Sequence, residues 1–159
     1  MISQSIRIDE IDQKIVRLIQ QEPNLTHTEI ATHVSRSQPT VGMRIRKLED
    51  SGVLQFQAGI SMQKIDLYFA KVDILTDKPE MIMSVVKSCP FLINAFRLSG
   101  EFNLTVLVAS FQIEDLDKIV NFHIRNNDDV KKVNMEIITD VADEYLVPLN
   151  IIYEECCCH

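Results

Sequence analysis

Two amphipathic stretches, each opened by its own helix-start signal, are separated by only a few residues after His33. The first starts at Thr26-His27-Thr28-Glu29, where a Thr hydroxyl and a Glu carboxylate three residues on can each satisfy a free backbone N–H. Leu25, Ile30 and Val34 supply its apolar contacts, and it ends near His33. The second starts at Ser37, a good N-cap, with Pro39 tolerated in its first turn. Val41, Ile45 and Leu48 form its buried stripe, and Gly52 closes it. Two short helices joined by so tight a turn fit a helix-turn-helix or a generic three-helix bundle. Ile8, Ile11, Ile15, Leu18 and Ile19 predict a preceding helix over 9–21, stopped before Glu22-Pro23-Asn24. Val53–Ile60 alternates in part and reads as a strand or small hairpin broken by Gly59, which would be the wing of a winged helix-turn-helix.

On this reading residues 1–60 form the first domain and residues 61–66, Ser-Met-Gln-Lys-Ile-Asp, the linker. The rhythm then changes. Leu67–Leu75 alternates Ala70, Val72 and Ile74 against Lys71 and Asp73, as a half-buried strand does. Asp77, with Glu80 at the capping-box position, predicts a capped helix over Lys78–Ser88. Strands follow at Leu92–Ser99 and Leu104–Phe111, around a turn at Gly100-Glu101-Phe102-Asn103. Ile113, Leu116, Val120 and Ile124 mark a second helix, and Val130–Thr139 a fourth strand. Tyr145–Tyr153 adds a fifth, interrupted at Pro148, which suits an edge. The order βαββαβ is the ferredoxin-like split motif, so the chain is α+β: a winged helix-turn-helix followed by a ferredoxin-like domain over 67–153, with a tail at 154–159. Both faces of Leu104–Phe111 are apolar, and a second subunit is the natural cover for the face the helices leave open.

The net charge of -7 argues against a protein that coats nucleic acid nonspecifically, yet no acid lies between Glu29 and Glu49, whereas Arg36, Arg44, Arg46 and Lys47 do. In helical projection Pro39, Met43, Arg46 and Lys47 fall opposite the stripe of the third helix, with Thr40 beside them, Arg44 at the flank and Gln38 at the N-terminal end. Gln38 and Thr40 are candidates for base contact, since Gln pairs with adenine and Thr donates, accepts or touches a thymine methyl. Arg36, Arg44, Arg46 and Lys47 are placed as phosphate contacts, with Ser37 at the helix start. The competing reading is that Thr40 only caps and that Arg44 lays its stem on the core.

Charged residues among the first 20 fit neither a signal nor a transit peptide, and no apolar run approaches the length of a membrane span, so a cytoplasmic location without membrane contact is expected. No nucleophile elbow, P-loop or dinucleotide fingerprint is present, and the expectation is a non-enzyme with no required cofactor.

The sequence resembles the Lrp/AsnC (feast/famine) transcriptional regulators. The matching stretches are Ile8-Asp9-Glu10-Ile11-Asp12, Glu29-Ile30-Ala31, then Ser37, Val41, Arg44-Ile45, Lys47-Leu48-Glu49 and Ser51-Gly52-Val53-Leu54. In the second domain, Phe96 to Leu104 resembles the family's glycine turn. The resemblance implies binding to double-stranded DNA, a homodimer that assembles further, often into octamers, and a small effector, commonly an amino acid, near Gly100, Glu101, Phe102 and Asn103 at the interface between dimers. The family often carries an acid where Asn103 stands; Asn hydrogen-bonds an ammonium group without attracting it by charge, and Glu101 is the alternative source of charge. Lrp-like folds also resemble siroheme decarboxylases, but Arg97, His123, Arg125 and a few Tyr show no obvious convergence.

Cys156-Cys157-Cys158-His159 is unlike the family pattern. Thiolates and imidazole are ligands for zinc, copper(I) or iron, and exposed thiols sense redox state, so a metal- or redox-responsive regulator is the alternative to an unordered tail. Contiguous cysteines lack the C-x-x-C spacing, and a complete site would borrow from another subunit. Cys89 reads as buried packing, and His27, His33 and His123 as surface or capping residues.

Overall fold

The structure is a computed structural model and describes residues 7–148. The chain divides into two units, Met1–Gln57 and Ala58–His159.

The first unit contains α1 (Glu10–Gln21), α2 (His27–His33) and α3 (Gln38–Asp50). Each begins where a side chain meets the free N–H groups of its first turn. Asp9 and Asp12 form a capping box on α1, Thr26 and Glu29 one on α2, and Ser37 caps α3. The Glu29 carboxyl lies below its ordinary range, first because the Thr26 N–H donates to it and then because the Thr26 hydroxyl does. Gly52, at φ 72°, terminates α3 in the left-handed region. The predicted apolar stripes converge: Ile15, Ile30, Val41 and Leu48 are fully buried in one core with Ile19, Ala31, Val34, Ile45 and Leu54.

The turn between α2 and α3 is made by Ser35, a non-glycine residue at φ 52°. Arg36 N–H donates to the Ala31 carbonyl at 3.0 Å and holds the chain there. A Cβ in this region is sterically costly, so Ser35→Gly is expected to raise the stability of this unit by about 0.5–1 kcal/mol, read as a higher denaturant midpoint at unchanged slope.

The expected hairpin at 53–60 does not form. Residues 53–59 make no strand, and β1 (Ile60–Ser61) pairs antiparallel with β6 (Leu146–Val147) in the second unit. Nor do residues 61–66 serve as a linker, because Met62 is buried with Phe69, Ala109 and Val147, and Ile65 packs against them. Their apolar side chains have a core to join, so the boundary lies earlier, after Gln57.

The second unit holds β2 (Tyr68–Thr76), α4 (Pro79–Val86), β3 (Leu92–Arg97), β4 (Leu104–Ser110), α5 (Ile113–Val120) with a π-helical extension over Asn121–Arg125, and β5 (Val130–Ile138). The sheet order is β3-β4-β2-β5, all antiparallel, which is the ferredoxin-like arrangement expected from βαββαβ. Ala70, Val72, Ile74, Leu104, Val106 and Val108 are completely buried, packed with Ile82, Leu116, Ile119 and Ile124 of the helical layer. The opposite face carries Lys71, Asp73, Thr105, Leu107, Glu136 and Ile138, around a depression that Phe96 also lines.

Asp77 does not cap α4. Lys78 stands at the N-cap without a side-chain cap bond, and the Asp77 carboxylate accepts from Lys131 Nζ at 2.6 Å. The Asp77 N–H donates to the Asp129 carbonyl, which ties its backbone toward β5 and away from the helix. Of the expected fifth strand at 145–153, Leu146–Val147 forms β6 before Pro148, and residues 149–153 lie outside the described residues. Among the described residues no helix is long and apolar enough to cross a membrane.

Candidate nucleic-acid interface

The burial of Val41, Ile45 and Leu48 fixes the rotation of α3 and turns Gln38, Pro39, Met43, Arg46 and Lys47 outward. With His27, Gly42, Asp50 and Ser51 they line an open groove. Gly42 leaves room for the close approach of α2, since a Cβ there would lie 3.3 Å from His27 Nδ1 at the start of that helix. Arg46 and Lys47 are exposed and form no ion pair among the described residues, leaving their charges available to a polyanion.

The other predicted contacts are placed differently. The Thr40 and Ser37 hydroxyls are 2.7 Å apart, and Ser37 Oγ also accepts from the Thr40 N–H at 3.4 Å, so both belong to the helix cap. Thr40 does not line the groove, although Gln38 does. Arg36 donates to the Ser35 carbonyl at 2.8 Å and borders a separate depression with Asp9, Lys14 and His33.

Arg44, predicted as a phosphate contact, is turned inward. Its Nη1 donates to Asp9 Oδ2 and Asp12 Oδ1, each at 2.7 Å, and pins α3 to the start of α1. Asp12 is buried and needs a cation, which is why the guanidinium goes there. The two carboxylates hold the guanidinium above its ordinary pKa, while the Asp12 N–H and Arg44 hold the Asp9 carboxyl below the usual range. Met43, Gly42 and His27 were not among the predicted contacts; the helical projection placed Met43 outward, whereas the approach of α2 at Gly42 has no local sequence signal.

In the second unit the residues predicted for an effector form the turn after β3. Asn103 anchors it. Its Oδ1 accepts from the Thr76 N–H at 3.1 Å, its Nδ2 donates to the Thr76 carbonyl at 2.7 Å, and its own N–H donates to the Ile74 carbonyl at 3.0 Å. The amide suits this position because it donates and accepts at once. Glu101 is exposed and paired with Lys132 Nζ at 2.8 Å, which lowers its pKa through that hydrogen bond. Lys132 Nζ also stands 5.1 Å from the centre of the Phe102 ring. Gly100 is exposed, its φ is not positive, and an added Cβ would meet only the Phe102 carbonyl, at 3.9 Å.

Arg97 pairs with Glu80 and Arg125 with Asp117, each occupied by its own carboxylate. His123 Nε2 is buried without a hydrogen-bond partner among the described residues, and burial lowers the pKa of its imidazole. Cys89 is buried, as predicted. No group of three or more His, Cys, Asp or Glu among the described residues is placed to hold a metal ion, and Cys156, Cys157, Cys158 and His159 lie outside them.

Residues 8–55 match the family of winged helix-turn-helix DNA-binding domains. An HTH-type transcriptional regulator of Pyrococcus abyssi is 23% identical over 141 residues, covering 86% of this chain and 95% of its own. The HTH-type transcriptional regulator FL11 of Pyrococcus horikoshii is 26% identical over 120 residues, covering 73% and 80%. Among solved structures, AsnC of E. coli superposes with a TM-score of 0.75 at 16% identity, covering 88% of this chain and 97% of its own. A transcriptional regulator of Neisseria meningitidis, in complex with L-Met, gives 0.75 at 20% identity, covering 92% and 99%. Residues 8–55 are therefore a winged helix-turn-helix DNA-binding domain, and the chain is similar over most of its length to HTH-type transcriptional regulators. The fold over nearly the whole chain is the one shared with AsnC and with the Neisseria regulator.

Proposed function

We propose that α3 is the recognition helix of a homodimer, that it lies in the major groove of double-stranded DNA, and that a small effector at the Gly100–Asn103 turn biases the assembly of those dimers. The observation that carries the DNA contact is the outward face of α3, where Arg46 and Lys47 form no ion pair among the described residues and share a groove with the exposed Gln38. The two basic residues contact phosphates and set affinity, and Gln38 at the N-terminal end contacts a base edge. Two such helices address successive major grooves about 34–36 Å apart. Arg46→Ala and Lys47→Ala are expected to weaken binding at every DNA sequence, each reducing the slope of log affinity against log salt by about 1. Fluorescence anisotropy over a salt series measures this, and an altered sequence preference at an unchanged slope contradicts it.

The dimer covers the sheet face that the helices leave open, where Phe96 is half exposed and Leu107 and Ile138 are only partly buried. The effector reading rests on the resemblance at the turn, on a glycine there that its own backbone does not require, and on the L-Met complex of the Neisseria regulator. An effector acts only through a difference in affinity between assembly states. The alternative of metal or redox sensing rests on the composition of the 156–159 tail alone. Metal content and thiol state of anaerobically purified protein, with and without those residues, separate the two.

A further inference from the structure

We propose that Met43 reads the 5-methyl group of thymine, through an apolar patch it forms with Pro39 and Gly42 on the outer face of α3. The inference rests on the reading of α3 as the recognition helix. Met43 is 67% exposed, the most exposed large hydrophobic side chain among the described residues, whereas Val41, Ile45 and Leu48 of the same helix are at most 4% exposed. Packing within the unit therefore does not account for a methionine there.

Its surroundings fit a base edge. Pro39 lies one turn before Met43 and Arg46 nearly one turn after, on the same face. Gly42 adds no side chain, and His27 forms the adjacent wall. The patch is thus an apolar spot next to Arg46 and Lys47, with Asp50 bordering the C-terminal end of the groove. A polyanion is attracted beside Met43 and repelled at Asp50, which centres the contact on the middle of the helix. The only apolar group that base pairs present in the major groove is the thymine methyl. A flexible, polarizable thioether covers such a group well.

The test begins with sites selected from random duplexes by the full-length protein. Each thymine in a selected site is then replaced by uracil, which removes only the methyl. Wild type is expected to lose roughly fourfold in affinity at one thymine of each half-site, the scale of one buried methyl. Met43→Ala is expected to bind the thymine and uracil duplexes equally, with an unchanged unfolding midpoint. Arg46→Ala weakens both duplexes and keeps their ratio. The proposal is overturned if no uracil replacement matters, or if Met43→Ala retains the wild-type ratio. If Arg46→Ala and Lys47→Ala leave affinity and salt slope intact, the recognition-helix reading has failed instead.

Discussion

Arg44→Ala is expected to destabilise the first unit by about 2–3 kcal/mol while leaving the salt dependence of DNA binding intact. The substitution strips the cation from Asp12, a carboxylate whose side chain is 8% exposed. Breaking a fully buried pair costs about 3–5 kcal/mol, and the lower figure applies because the Arg44 side chain keeps 27% of its surface in water. Urea unfolding followed by circular dichroism reads the loss. Binding assays in conditions where the variant remains folded then separate Arg44 from Arg46, since only the latter should alter the salt slope. The pH dependence has a definite sign. The folded-state pKa of Asp9 is lowered, by the Asp12 N–H first and by Arg44 next, so the unfolded chain binds the proton more readily. This contribution is complete at neutral pH and is lost as pH falls through the carboxylate range. Arg44→Ala should weaken that acid sensitivity; an unchanged acid limb assigns it to other carboxylates.

The second large effect is at Asn103. Truncation to alanine leaves the Thr76 N–H without its acceptor and the Thr76 carbonyl without its donor, at a residue that is 1% exposed. With about 1–3 kcal/mol for each orphaned group, Asn103→Ala should lower the stability of the second unit by roughly 2–4 kcal/mol. Amide hydrogen exchange locates the damage: Thr76 and Leu98, whose N–H donates to the Asn103 carbonyl, should lose protection before the rest of the sheet. Uniform loss of protection, or none, contradicts the assignment of Asn103 as the anchor of the turn. Asn103→Asp keeps the acceptor but sets a carboxylate against the Thr76 carbonyl, and its penalty should shrink as the carboxyl is protonated at lower pH.

These two sites also show where sequence reasoning stops. The caps at Thr26 and Ser37 and the stop at Gly52 depend on residues within one turn of one another, and all three stand where the sequence places them. The alternation in Tyr68–Thr76 is equally local and identifies its buried face correctly. Arg44 is different. Its partners lie 35 and 32 residues earlier, and charge alone gives an unburied helix face no preference between an acid of the same unit and a phosphate. The same limit explains Asp77, whose partner Lys131 lies 54 residues on, and Ile60–Ser61, whose partner strand is Leu146–Val147. Each carries a signal that a local structure would satisfy, a cap in one case and a hairpin in the other, but the distant partner takes it. At the turn, the spacing marks Gly100–Asn103 as a turn but does not show that the Asn103 amide is committed to the backbone of β2.

The inward turn of Arg44 has a consequence for how such a chain can hold DNA at all. With Arg44 withdrawn, α3 offers two outward cations, Arg46 and Lys47. At about 0.9 counterions released per neutralised phosphate, one helix contributes a salt slope of only ~2. Against a whole-chain charge of -7, that is a weak hold for a single copy. In the proposed dimer tight binding would be a matter of avidity: a second helix tethered at the right spacing acts at a high effective concentration and multiplies affinity without a new kind of contact. The proposed dimer would then be readily released, because loosening the link between copies would dissolve the complex while each helix's own contacts to DNA stay chemically unchanged.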